Sequence, residues 1–271
     1  MFSIQISIRY SVLLITASLA LSCASSKQAN KSVSFASNPV VAHRGAFLKN
    51  KFPENSIASL KEAIRLGSTG SEFDVRMTID DSLVINHDPA FQKLVIDKTI
   101  FADLSKLSLS NGEAIPTLSE YLQAGLTNNK TTRLVLEIKP SDIGKERAVQ
   151  IVTKVLATVK ATGASSKTVY ISFDYEMLKT IHQLDPKAIT QYLNGDKSPE
   201  QLAKDGINGL DYHFSVFQKK PEWIIEAKKL RLILNAWTVN DPAIMDWLIK
   251  EGFDFITTNE PELLLQKIAA K

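Results

Sequence analysis

The chain holds a single cysteine, Cys23, in 271 residues, so no internal disulfide can staple the fold. No apolar stretch reaches the roughly 20 residues that a membrane-spanning helix needs; Ser11 to Leu21 falls short. Neither sign of charge is in large excess, the net being +3 with Lys and Arg scattered among Asp and Glu. That balance argues against a nucleic-acid groove. What the chain does have is apolar content, 44%, and enough length from Pro39 to Lys271 for one large domain with a full core.

The run Ser11 to Leu21 follows one basic residue, Arg9, and ends in the block Ala20-Leu21-Ser22-Cys23. This order reads as a secretory signal. The block resembles the lipobox of bacterial lipoproteins, which implies cleavage before Cys23 and lipidation of that cysteine; the alternative is a cysteine discarded inside the signal. Lys27 to Asn38 is polar, rich in Ser, Lys and Asn, and without a period of two or 3.6. The expected organisation is a signal peptide over 1–22, a flexible tether over 23–38 and a single large folded domain over 39–271. The protein is expected to be exported and held on a bacterial membrane through a lipid anchor.

Across the domain, short β-branched runs alternate with amphipathic helical stretches, the pattern of parallel βα units rather than of hairpins. Strands are expected near 40–42, 71–75, 133–138, 168–172, 188–192, 209–212, 231–236 and 253–257. Helices are expected over 54–66, 117–124, 145–160, 175–183, 199–204, 221–229, 242–250 and 261–268. Pro199, Pro221, Pro242 and Pro261 suit a first helical position, where the missing N–H costs nothing. The repeated alternation predicts an α/β fold, a single-domain (β/α)8 TIM barrel. One stretch, Ile79 to Ser110, breaks the rhythm and is expected to pass over the barrel mouth. In such barrels the chemistry sits on loops at the carboxyl ends of the strands.

His43-Arg44-Gly45 ends the first strand and so falls on that face. The second strand, S-E-F-D-V, places Glu72 and Asp74 on one side and turns Phe73 and Val75 toward the helices. The third, R-L-V-L-E-I-K-P, adds Glu137 and Lys139. Three carboxylates converging on one mouth repel one another and lose hydration, so a proton or a cation must lie among them. An all-oxygen set suits a hard divalent metal, Mg²⁺ or Ca²⁺, better than zinc. His87, in V-I-N-H-D, returns to the same rim. These groups suit proton transfer around an anion that a metal also holds, and a phosphate ester fits that description.

Blander readings stand beside these. Lys139 can neutralise Glu137 without touching substrate, and Glu72 with Asp74 can pair with Arg76. Trp237, in L-N-A-W-T-V-N, serves equally as a core aromatic or a substrate wall. Ser172 and Phe173 pose the same choice, and so does His213 in G-L-D-Y-H-F. His182 lies on an expected helix away from the catalytic face and receives no role.

His43-Arg44-Gly45, Pro53-Glu54-Asn55-Ser56, the segment G-S-T-G-S-E-F-D-V-R-M-T-I-D-D-S-L-V-I-N-H-D, Glu137-Ile138-Lys139 and Ala236-Trp237-Thr238-Val239-Asn240 together resemble the glycerophosphodiester phosphodiesterases. The likeness runs in order from Pro39 to G-F-D-F-I-T-T-N-E-P and covers the whole domain. It implies a phosphatidylinositol-phospholipase-like barrel that hydrolyses glycerophosphodiesters to sn-glycerol 3-phosphate and an alcohol. By the resemblance His43 and His87 are the general acid and base, and Glu72, Asp74 and Glu137 hold the metal. Arg44 and Lys139 address the phosphate, and Trp237 lines the substrate pocket. Asn259 stands where the family often has aspartate, which implies a change at the substrate end of the pocket. D-K-T replaces the family's common arginine-threonine-threonine run after Asp88, and Ser82 a common glycine. Two rival readings use the same barrel: a lysophospholipase-D-like activity on membrane lipids, and a non-catalytic surface binding protein.

Overall fold

The structure, a computed structural model, describes residues 1–3, 34–141 and 143–270. The signal peptide beyond residue 3, Cys23 and the tether up to residue 33 lie outside the described residues. The compact unit that begins at Val33 carries everything that follows.

In chain order it contains β1 (Val40–Ala42), α1 (Ile57–Leu66), β2 (Gly70–Met77), β3 (Leu83–Ile85), β4 (Ala90–Phe91), β5 (Leu94–Val95), α2 (Phe101–Leu104) and α3 (Leu118–Leu126). There follow β6 (Arg133–Ile138), α4 (Lys145–Thr162), β7 (Thr168–Ser172), α5 (Tyr175–Leu184), β8 (Ile189–Tyr192), α6 (Pro199–Lys204) and β9 (Gly209–His213). The last elements are α7 (Phe214–Lys219), α8 (Glu222–Leu230), β10 (Ile233–Trp237), α9 (Pro242–Lys250), β11 (Phe255–Thr258) and α10 (Pro261–Ala269). Strands β1, β11, β10, β9, β8, β7, β6 and β2 pair in that order, all parallel, and β2 returns to β1 to close the expected (β/α)8 barrel.

The alternation along each strand sorts side chains into two cores. Phe73, Val75, Leu134, Leu136, Leu210 and Leu234 face outward and bury against Leu60, Leu122, Val155 and Leu178 of the helices. Val41, Val135, Val169, Ile171 and Leu193 face inward and fill the barrel. Each such side chain contributes about 1.5–3 kcal/mol by leaving water, which is what holds the inward polar residues of the same strands in place.

Helix starts follow local chemistry. Ser56 accepts from the Ser59 N–H, Asp174 and Asp241 cap α5 and α9, and Thr117 with Glu120 forms a capping box on α3, satisfying N–H groups that would otherwise lack partners. Because Ser56 takes the cap, α1 begins at Ile57 rather than at Glu54. Glu54 and Asn55 are thereby left in the preceding loop, free to serve the barrel mouth.

Two further differences have physical causes. Ile79 to Ser110, expected as an excursion, carries structure of its own. It lays β3 antiparallel on the end of β2, pairs β4 with β5, and closes a small core of Val84, Phe91, Ile96, Leu104 and Ile115. At the other end of the barrel, Phe35 to Asn38, placed in the tether by composition, hold onto the domain. The Ala36 N–H donates to Thr131 O at 3.0 Å, Asn38 Nδ2 donates to Gly67 O at 2.9 Å, and the Arg133 guanidinium lies 3.9 Å from the centre of the Phe35 ring. A polar composition hides such side-chain anchoring.

Candidate active site

The turn after β1 is strained where it serves the site. Arg44 (φ 54°) and Gly45 (φ 81°) are both left-handed, a conformation that costs a non-glycine residue about 1–3 kcal/mol. A side chain at position 45 would collide with the backbone and side chain of Ser59, so glycine alone lets the turn press on α1. In return the Arg44 N–H donates to Glu72 Oε2 at 2.8 Å.

The acids predicted to converge do so. Glu72, Asp74 and Glu137 are buried, and one ligand oxygen from each lies within 4.8 Å of the others. Their surroundings differ. Asp74 accepts from Asn55 Nδ2 at 2.7 Å and from the Lys139 ammonium at 2.8 Å. Burial opposes its ionisation, but the Lys139 charge and these hydrogen bonds outweigh it, so its pKa falls below the usual aspartate value. Glu137 lies 2.6 Å from Lys139 Nζ; burial and then the Asp74 charge still push it up to about 7. Glu72 is raised well above the glutamate range by burial and by its two acidic neighbours. Its Oε1 is buried without a hydrogen-bond partner among the described residues. Lys139 stays protonated, because Asp74 and Glu137 overcome the burial that disfavours its charge.

This donor set fits a divalent cation. The oxygens are hard and mutually close, repulsion holds protons where a cation would relieve it, and Glu72 Oε1 waits for a partner. Arg76 does not form the ion pair that would have made Glu72 and Asp74 structural. Its Nε and terminal nitrogen donate to the His87 carbonyl at 2.9 and 2.7 Å, tying the β3 loop to β2.

The histidines occupy different settings. His43 is half-buried in the cavity wall, with Nδ1 2.7 Å from Asn259 Oδ1 and Nε2 3.9 Å from Glu72 Oε2. Burial, then the Arg44 charge, lowers its pKa to about 4. His87 is half-exposed at the rim, with Nδ1 2.8 Å from Asp88 Oδ1. Arg44 donates through one terminal nitrogen to both Glu54 oxygens, at 2.8 and 2.9 Å, and its Nε lies 3.7 Å from Asp74 Oδ2.

His43, Arg44, Glu72, His87, Glu137, Lys139 and Trp237 line one cavity of ≈ 120 Å³, together with Ile171, Phe173, Leu193, Asp211, Thr238 and Thr257. Phe173 packs edge-on to Trp237 at 5.5 Å between ring centres. Ser172 does not reach the cavity; its hydroxyl donates to Ile138 O at 2.8 Å and accepts from the Asp174 N–H. His213 does not line it either. That ring caps α7 through Ser215 and leans on Trp237. His182 stays on α5, bonded to Thr190. A larger cavity of ≈ 710 Å³ opens around the amino ends of the strands, beside Arg133, Lys167 and Phe255. It contains neither histidines nor the acid cluster, so the chemistry belongs to the smaller one.

Sequence reading missed three supports. Asn55 fixes Asp74, Arg76 fixes the His87 backbone, and Asp211 lines the cavity. Asn259 was expected at the substrate end and instead holds His43. The signal for Asn55 was present, since an asparagine just before a Ser N-cap is free to point elsewhere. For Asp211 the signal was parity: G-L-D-Y-H places the aspartate on the same inward face as Gly209.

Comparison with known proteins agrees with this geometry. The family model described as the Glycerophosphoryl diester phosphodiesterase family matches residues 43–263. A glycerophosphodiester phosphodiesterase of Caldanaerobacter subterraneus subsp. tengcongensis is 29% identical over 243 residues, 84% of this chain and 97% of that one. The crystal structure of a glycerophosphodiester phosphodiesterase from Parabacteroides distasonis superposes with TM-score 0.84 at 38% identity, covering 88% of this chain and 99% of its own. An Oleispira antarctica phosphodiesterase, solved with its product sn-glycerol-3-phosphate, gives TM-score 0.74 at 26% identity, covering 85% and 96%. With the motif residues gathered around one cavity and the match running through nearly the whole barrel, the chain belongs to the glycerophosphoryl diester phosphodiesterase family.

Proposed function

We propose that the protein hydrolyses glycerophosphodiesters to sn-glycerol 3-phosphate and an alcohol by a metal-dependent, two-histidine mechanism. The observation that carries this reading is that Glu72 and Glu137, two members of a buried acid triad completed by Asp74, line one cavity with His43 and His87 in a family member. Glu72, Asp74 and Glu137 would hold Mg²⁺ or Ca²⁺, which when bound would offset charge on the phosphoryl group. Lys139, kept charged by its acidic neighbours, and Arg44, held by Glu54, present cations to the phosphate oxygens. Asn259 occupies Nδ1 of His43 and leaves Nε2 as the nitrogen available to accept a proton from the nucleophile. His87, at the solvent rim beside Asp88, is placed to protonate the departing alcohol. Trp237 and Phe173 give the organic arm of the substrate an aromatic wall.

Release of sn-glycerol 3-phosphate from glycerophosphocholine, measured with and without a chelator, tests this directly. Turnover that vanishes on chelation and returns with Mg²⁺ or Ca²⁺ supports it; full turnover by stripped protein refutes the metal dependence. We also propose export and anchoring through a lipid on Cys23, on the strength of the Ala20-Leu21-Ser22-Cys23 block.

A further inference from the structure

The cavity has two unlike halves. Over β1, β2 and β6 it is charged, with the acids, Lys139, Arg44 and the histidines. Across from them it is apolar, walled by Ile171, Leu193, Phe173 and Trp237. One ionisable group interrupts that apolar half: Asp211, on β9.

Asp211 is 1% exposed, and its Oδ1 is buried with no hydrogen-bond partner among the described residues. Its position is fixed from behind, because Trp237 Nε1 donates to the Asp211 carbonyl at 2.7 Å and Asn235 pairs with it in the adjoining strand. Folding gains nothing from such a carboxyl. A buried polar group without a partner destabilises the protein relative to an apolar replacement, whereas Asp74 close by is satisfied on both oxygens.

We infer that Asp211 is a specificity-determining residue, which hydrogen-bonds a hydroxyl of the substrate's three-carbon polyol arm at the floor of the cavity. This rests on the phosphodiesterase reading above. Three features select the ligand chemistry. The cavity, ≈ 120 Å³, is well below the range of pockets that enclose whole drug-sized ligands, about 300–1,000 Å³, so only a small arm reaches its floor. The walls beside Asp211 are apolar and suit a short carbon skeleton. A hydroxyl both donates and accepts, so it satisfies this carboxyl whichever protonation state it holds. The departing alcohol must leave through the mouth, past His87, and does not compete for the sealed end.

The test uses the full-length enzyme with its metal and two substrates: glycerophosphocholine, and the analogue lacking the terminal hydroxyl of the glycerol arm. Wild-type protein should prefer glycerophosphocholine in kcat/KM by roughly thirtyfold, in the range expected when a buried polar group loses its only partner. Asp211→Leu should reduce the preference to under threefold, mostly by slowing glycerophosphocholine, while its Tm stays equal or rises. Asp211→Asn, which keeps a donor and an acceptor in the same shape, should retain most of the preference. Should Asp211→Leu fail to fold, Asp211→Ala serves in its place. Unchanged discrimination in the folded Leu or Ala variant overturns the inference, as does an equal loss on both substrates. If wild-type protein turns over neither substrate, the phosphodiesterase reading itself has failed, a result distinct from either of these.

Discussion

Replacing Asn259 by leucine probes the one contact that sets the state of His43. Asn259 Oδ1 lies 2.7 Å from Nδ1, and Asn259 is itself held by its N–H to Asn240 Oδ1 at 2.9 Å. A neutral imidazole offers its proton at either nitrogen, and an acceptor at Nδ1 selects the form with a free lone pair on Nε2. Losing a neutral hydrogen bond costs about 0.5–1.5 kcal/mol, and losing one to the imidazolium that forms during proton transfer costs about 1.5–3 kcal/mol. At about 1.4 kcal/mol per decade, kcat/KM should fall roughly tenfold to a hundredfold, with KM nearly unchanged. Asn259→Asp keeps an acceptor and should stay within about tenfold of wild type. Steady-state release of sn-glycerol 3-phosphate from glycerophosphocholine at saturating metal measures this, with a thermal melt to verify folding. In a His43→Ala background, Asn259→Leu should add nothing, because residues acting through one group are non-additive. An Asn259→Leu enzyme within twofold of wild type, or a full additional loss in the double variant, refutes the positioning role.

His43→Ala and His87→Ala should each lower kcat by a factor of about 10² to 10⁴ with the fold intact; near-normal turnover in either removes it from the proton-transfer pair. Glu72→Gln or Glu137→Gln should weaken divalent-metal binding in calorimetry, since an amide is the poorer ligand for a hard dication, and unchanged affinity would count against the triad. In metal-stripped protein Glu137 and Glu72, whose folded pKa values are raised, should lower Tm as pH rises from about 4.5 to about 7, because the folded state binds protons more tightly and loses that advantage as they ionise. His43, lowered to about 4 from an ordinary 6.5, acts in the opposite sense over much of the same range, and Asp74, whose pKa is lowered, acts only in the more acidic range. The contribution of Glu137 is therefore read as a difference: stripped Glu137→Gln should show a Tm that falls less, or climbs more, across this window than stripped wild type, and parallel pH profiles contradict the assignment. Cys23→Ser should move the protein from the membrane fraction to the soluble exported fraction, because lipid anchoring needs acyl chains on that thiol; equal fractionation of the two proteins argues against lipidation.

The barrel was legible because its signals are local and repeated. β-branched runs of strand length, Pro or Ser at helix starts and parity along S-E-F-D-V are each read from a few adjacent residues. The convergence of the three acids was legible for the same reason, since two of them share one strand and the third ends another. Supports that cross the fold were not. Asn259 lies 216 residues from His43, and no periodicity links them. Glu54 and Asn55 were absorbed into the expected helix because they suit its first turn, until Ser56 took the cap. Phe35 was lost in a polar tether, although its partner, Arg133, comes from a strand far along the chain. The small core of the β3 to α2 excursion was not legible because it draws on Ile115, beyond the stretch that broke the rhythm.

The acids divide their work unevenly, and the division follows from which neighbours the fold gives them. Asp74 lies on β2 between Asn55, Lys139 and Arg44, so its charge is met from three directions and its carboxylate is fixed before any ligand arrives. Glu72, two residues earlier on the same strand face, receives the Arg44 N–H and, among the described residues, has no hydrogen-bond partner for Oε1. Burying both without such asymmetry would leave two equivalent, mutually repelling carboxylates, free to share a proton in either arrangement. A site suited to a dication has one ligand that is already ionised and in place, and another whose proton a cation can displace. Asp74 has the environment of the first and Glu72 of the second. Lys139 completes the logic: its ammonium holds Asp74 and Glu137 together from one side, and Glu72 supplies an oxygen without a hydrogen-bond partner among the described residues. The left-handed strain at Arg44 is what brings its N–H to Glu72, so the cost of that turn is paired with the placement of the acid that a cation would engage.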